Sequence, residues 1–180
     1  LYVRHTLTTR KARLEAAALA SSAIALVNKE LASTADPTYI KELNVLKENM
    51  RTAIQSNKAE DINKAATKLQ EDLAAARGRF ELRLQPCVQG AIALHNLTNK
   101  GWLVPPYVAA GLEALKKASE NLSSTLALRN ADGAKQLLAD TVPPLLVAAH
   151  LAVDKAGSNV ARIGEAVIGN APPMTDDDFK

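Results

Sequence analysis

A chain of 180 residues with 47% hydrophobic, 3% aromatic and 23% charged side chains, a formal net charge of +3 and one cysteine is long enough to bury a core without metal or disulfide staples. The totals exclude several classes: Cys87 has no partner for an internal disulfide, and no apolar run reaches the ~18–20 residues of a membrane-spanning helix. The six aromatics are scattered through a mixed-charge chain, unlike the basic, stacking surface of a nucleic-acid binder.

Abundant alanine favours closely packed helices, because alanine has the highest helix propensity and lets backbones approach. Leu1 is not a methionine, so the reading is of a processed or excised segment with room for a signal or anchor upstream. Arg4, Arg10, Lys11 and Arg13 precede the first acid, Glu15. They read as a solvated helix start, with an anionic-surface contact as the alternative.

Leu14, Ala17, Ala18, Ile24, Val27 and Leu31 recur at helical spacing and predict a first helix from about Thr9 to Ser33. Pro37 cannot continue a hydrogen-bond ladder, so Thr34 to Pro37 predicts a turn. Ile40, Leu43, Leu46, Met50, Ala53 and Ile54 give a second helix from about Pro37 to Gln55 one buried face. Asn57, with Glu60 three residues on, predicts the N-cap of a third helix carrying Ile62, Ala65, Ala66, Leu69 and Leu73. From Ala76 to Leu84 only Gly78 interrupts the pattern, so this helix is expected to pass with little break into the second half of the chain.

The second half repeats the first. Ala23-Ile24-Ala25-Leu26 and Asn28 return as Ala91-Ile92-Ala93-Leu94 and Asn96, and Pro37 and Tyr39 return as Pro105 and Tyr107, at a constant separation of 68 (91 − 23 and 107 − 39). A tandem duplication is the reading. Val108, Leu112, Leu115, Leu122 and Leu126 then give the second copy its second helix. Pairing Ala59 with Ala131 takes a separation of 72 (131 − 59), so about one helical turn is read as inserted before that point. Thr141-Val142-Pro143-Pro144 interrupts the last helix, with Thr141 as the expected cap of a new one. A short helix, a kink and a long helix to about Ile168 are expected, then a frayed tail. The fold expected is all-α, an antiparallel helical bundle of two tandem, divergent repeats: 1–78, 79–168 with an extra or kinked helix after Pro143-Pro144, and a flexible 169–180.

Around Ala59-Glu60-Asp61-Ile62, Ala65, Leu69 and Leu73, preceded by Tyr39-Ile40 and Leu43, the first copy resembles FIVAR-type modules over roughly residues 20–76. These are short three-helix units, often in tandem in bacterial surface proteins. The resemblance implies a spacer or ligand-presenting role. In the second copy Pro143 and Pro144 depart from that pattern, and the alanine-rich run from Leu145 to Val167 is also similar to cytoskeletal rods of the talin and vinculin kind.

No chemistry is read from the motifs. His5, His95 and His150 lack a second ligand at zinc spacing. Cys87 and His95 are about 12 Å apart along a helix, too far for a nucleophile–base pair, and Cys87 reads as a small buried residue. Asp176, Asp177 and Asp178 lack the spaced ligands of a calcium loop. No catalytic residue, cofactor or metal ligand is assigned, and the chain is read as non-enzymatic. His95, paired with Val27 by the repeat, is expected on a partly buried seam. Trp102, Leu103, Tyr107 and His95 form the expected contact patch, with Trp102 as a lid on the bundle in the other reading.

The function expected is a helical spacer or protein-binding module of a larger, surface-attached or membrane-anchored protein, extracellular rather than cytoplasmic. The alternatives are an intracellular helical adaptor or cytoskeletal-type rod, and a sensor bundle holding a small apolar ligand.

Overall fold

The computed structural model describes the backbone of residues 2–99 and 106–149, and the side chains of 8–99, 106 and 109–149. Those residues form helices and turns, with no strand among them. Helix α1 spans Tyr2–Ser33, α2 Pro37–Gln55, α3 Ala59–Thr98, α4 Pro106–Ala127, α5 Ala131–Gln136 and α6 Val142–Ala148, with one π-helical turn at Leu137–Thr141 joining the last two. The chain divides into two compact units, Leu1–Phe80 and Glu81–Lys180. Helix α3 supplies residues to each.

In the first unit α1 presents Ala16, Ala20, Ala23 and Val27 as a buried stripe at spacings of four and three residues, one face of an α-helix. This corrects the expected face: Leu14 is 63% exposed, and Ala17 and Ala18 are exposed too. Small residues on the stripe allow the close approach that larger ones would prevent. The turn to α2 is fixed by Asp36, whose carboxylate accepts from the Tyr39 amide at 2.9 Å, an N-cap that satisfies one of the helix's unpaired donors. Tyr39, Leu43, Leu46 and Met50 form the buried face of α2, while Ile54, expected there, is exposed.

Asn57 does not cap α3. Its φ of 54° places it in the left-handed region that closes helices, and its amide donates to the Ile54 carbonyl at 3.1 Å. It ends α2. Asparagine suits both roles: the sequence reading of Ser56-Asn57 as the stop of α2 holds, and the reading of Asn57 as the cap of α3 does not. In α3, Ile62, Ala66, Leu69, Leu73, Ala76 and Phe80 are buried. Phe80 stacks on Tyr39 with ring centroids 4.4 Å apart and planes 7° from parallel, in the range of favourable aromatic pairs.

A polar clasp lies beside that stack. Tyr39 Oη donates to Glu30 Oε2 at 2.8 Å, and Arg77 Nη2 donates to Glu30 Oε1 at 2.6 Å, so one carboxylate ties α1 to both α2 and α3. Burial, and next to it the bond to Glu30, push the Tyr39 phenol up to about 12.

The core of the second unit is Cys87, Ala93, Leu94 and Leu97 from α3, Leu115 and Leu122 from α4, and Ala134, Leu138, Val142, Leu146 and Ala149 from the last segment. Cys87 takes its expected place as a small buried residue. Arg129, with φ of 52°, turns the chain out of α4, and Asn130 caps α5 by accepting from the Gly133 amide at 2.9 Å. Thr141 makes no side-chain capping bond and has helical φ and ψ. Helical winding therefore continues from α5 through the π turn into α6, where the sequence predicted a stop and a fresh start. The expected long helix to Ile168 and the 169–180 tail lie outside the described residues.

Part of the burial pattern recurs at fixed separations in the two units, although Ala16 and Arg83, or Leu26 and Ala93, differ. Leu43, Leu46 and Met50 of α2 correspond to Leu115, Ala118 and Leu122 of α4 at a separation of 72 (115 − 43), and the left-handed Asn57 and Arg129 stand at the same separation. Ala20, Ala23 and Val27 of α1 correspond to Cys87, Gly90 and Leu94 of α3 at a separation of 67 (87 − 20). The identities in the sequence echo run at 68, one residue out of step with burial. Val27 is buried and His95 is exposed, so the expected seam position of His95 is corrected: Leu94 is the buried counterpart of Val27. The separation changes from 67 to 72 (94 − 27 and 115 − 43) between Leu94 and Leu115 and stays at 72 as far as Arg129. At the separation of 72, Tyr39 falls opposite Gly111 (111 − 39).

Candidate protein-contact surface

Of the four residues expected to form a contact patch, Trp102 and Leu103 lie outside the described residues, as does the side chain of Tyr107. The lid reading of Trp102 falls there too. His95 is described, and it is exposed near the end of α3. Its carbonyl accepts from the Asn99 amide at 3.1 Å and from Asn99 Nδ2 at 2.8 Å, while Asn99 Nδ2 lies 3.2 Å from His95 Nδ1. Thr98 Oγ1 donates to the Leu94 and His95 carbonyls, each at 3.1 Å. The last turn of α3 thus adds side-chain donors to its backbone bonds, and these bonds hold His95 and Asn99 together.

From Leu84 to Asn99 the sequence has no Asp, Glu, Lys or Arg. The solvent side of this run presents Gln85, Val88, Ile92, His95 and Asn99. Val88, Ile92, His95 and Asn99 succeed one another at four, three and four residues, so they form one stripe about 16 Å long. Val88 is 38% and Ile92 49% exposed. At the corresponding positions of α1, 67 residues earlier (88 − 21), the exposed side chains are Ser21, Ala25 and Asn28. The second unit places larger, more apolar groups where the first has small or polar ones. Apolar anchors at helical spacing on an uncharged face are what a partner helix or groove engages.

The neutrality is local. The exposed faces of α2 and early α3 carry ion pairs: Arg51 with Glu48 at 3.4 Å, Lys64 with Glu60 at 2.9 Å and Lys68 with Asp72 at 2.9 Å. A groove between α2 and α3 is lined by Glu42, Asn49, Asp72 and Arg79 beside Val45 and Leu46. In α6 the pattern turns apolar again, with no charged residue from Val142 to Ala149 and Val147 60% exposed.

Periodicity marked helices, but the stripe needed the burial register: only that separates exposed Val88 and Ile92 from buried Cys87 and Leu94. The missed signal was the charge-free run itself. Among the described residues no three His, Cys, Asp or Glu side chains gather where a metal ion could be held, and no helix is long and apolar enough to cross a membrane. No family model, curated protein or solved structure matches the chain.

Proposed function

We propose that the chain is a non-catalytic helical module made of two divergent copies of one antiparallel three-helix unit, joined through α3, and that the second copy binds a protein partner on the Val88–Ile92–His95 face. The common burial register supports the duplication: Leu43, Leu46 and Met50 against Leu115, Ala118 and Leu122, and the left-handed turns at Asn57 and Arg129. The FIVAR-like features of residues 20–76 favour the same unit. A spacer or presenting segment of a larger surface protein accords with both.

The observation that carries the binding role is the exchange of Ser21, Ala25 and Asn28 for Val88, Ile92 and His95 at matched exposed positions. Core requirements do not act on exposed positions, and an exposed apolar group gains free energy only when something covers it. The test places a photo-cross-linking amino acid at Ile92 and, separately, at Ala25 in the full chain. In extract of the source cells the Ile92 probe is expected to capture one dominant protein, and Ile92→Asp added beside a probe at Val88 to abolish that capture. Equal labelling from Ala25 and Ile92 would overturn the assignment.

A further inference from the structure

The last helical segment departs from the common burial register by one residue, at one place. Ile62 and Ala66 of α3 correspond to Ala134 and Leu138 at a separation of 72 (134 − 62), as throughout α2 and α4. Leu69, Leu73 and Ala76 correspond to Val142, Leu146 and Ala149 at 73 (142 − 69). The extra residue falls between Leu138 and Val142, within the π turn Leu137–Thr141, where the Val142 amide donates to the Leu137 carbonyl five residues back. Ala139, Asp140 and Thr141 are all exposed.

Adding one residue to an α-helix rotates everything after it by about 100°, which would carry Val142, Leu146 and Ala149 out of the core. A π turn takes up one residue in a wider loop and leaves the next helix in phase. We infer that Leu137–Thr141 houses a single-residue insertion relative to α3, and acts as the register adaptor that keeps α6 seated on α4. The inference rests on the two-copy reading.

The two prolines explain why the insertion sits where it does. Pro143 and Pro144 have no amide hydrogen, so α winding here would still lack the bonds to the Ala139 and Asp140 carbonyls. The wider turn sacrifices less at this point than elsewhere in the segment. Gly111 shows how tightly the adapted register is held. A Cβ built on it would lie 2.5 Å from Ala149 Cα, so α6 is set directly against the α4 backbone.

The experiment compares three forms of the full chain by thermal melting and by the NMR coupling across the Val142 amide hydrogen bond. Pro143→Ala with Pro144→Ala is expected to keep the coupling to the Leu137 carbonyl, since the extra residue remains. Deleting Asp140 in that background is expected to leave the Val142 amide on the Leu137 carbonyl, which is then four residues back as in an ordinary α-helix, and to leave Tm equal or raised by about 2–5 °C. Deleting Gln70, an exposed residue between Leu69 and Leu73 of α3, is expected to lower Tm by roughly 10 °C or more. Loss of the Leu137 coupling on proline replacement alone, or an Asp140 deletion as damaging as the Gln70 deletion, overturns the insertion and leaves the two-copy reading standing. A Gln70 deletion tolerated as well as the Asp140 deletion overturns both, because the burial register would then constrain neither segment.

Discussion

The two units share part of a burial pattern, Leu43, Leu46 and Met50 against Leu115, Ala118 and Leu122, and secure their helices by different means. In the first, the position of Tyr39 is filled by an aromatic ring stacked on Phe80 and tethered through its hydroxyl to Glu30, which also holds Arg77. In the second, the matching position is Gly111, and Ala149 comes so close that a methyl group would collide with it. One unit keeps its helices together through a large side chain and a carboxylate, the other through direct backbone approach. A burial pattern specifies which faces meet; the residues on them specify how far apart the helices sit and how costly a change will be.

The largest effect is expected from removing the ring. Tyr39→Ala deletes a buried aromatic side chain and leaves Phe80 facing a cavity, a loss of about 3–5 kcal/mol. Native-state hydrogen exchange should show it as reduced protection at Leu43, Leu46 and Met50, with a smaller change at Leu115 and Leu122. Equal loss in both segments would mean that the units do not open separately.

Gly111→Ala tests the other strategy. Overpacking against Ala149 should cost about 1–3 kcal/mol, against the ~1 kcal/mol that alanine gains over glycine in a helix. A net loss confined to the second unit is expected. A stabilised protein would show that α4 and α6 separate easily, and would remove the contrast.

The smallest change, Tyr39→Phe, keeps the stack and removes the hydroxyl, at a cost of about 1 kcal/mol. Its sharper signature is in pH. The folded-state pKa of Tyr39, about 12, lies above the ordinary tyrosine value near 10, so folding favours the protonated phenol. That contribution is fully present below about pH 10 and is lost as pH rises toward 12. Protection of α2 in the parent chain should fall across that window, and the Tyr39→Phe variant should lack this part of the fall. Identical alkaline profiles would remove Tyr39 as the cause.

Much of this architecture was legible from residue spacing. Both ends of α2 could be read, because Pro37 fixes the start and Ser56-Asn57 the stop, and the passage of α3 through Gly78 followed from the lack of a proline between Ala76 and Leu84, whereas its continuation through Pro86 was not foreseen. The buried face of α1 was not legible, since an alanine stripe and its neighbouring alanines look alike in sequence and only packing separates them. The sequence echo was visible, but its identities and the buried positions run one residue apart in the first helix. Small residues such as Ala91 and Ala93 carry little phase information, and this misplaced His95. The π turn was hidden because five residues of ordinary composition adopt it only where the helix beyond must return to register.

Cys87 gives the second unit a built-in chemical clock. It is the chain's single cysteine, and its sulfur lies 3.8 Å from the Ala131 carbonyl, beneath the first turn of α5. Because the sulfur is buried, a thiol reagent reaches it when this part of the unit opens. The rate of alkylation, compared with that of the unfolded chain, therefore measures how often this unit opens. Wild-type protein can report that frequency without an added label, and the same reaction would show whether a partner covering Ile92 and His95 slows the opening.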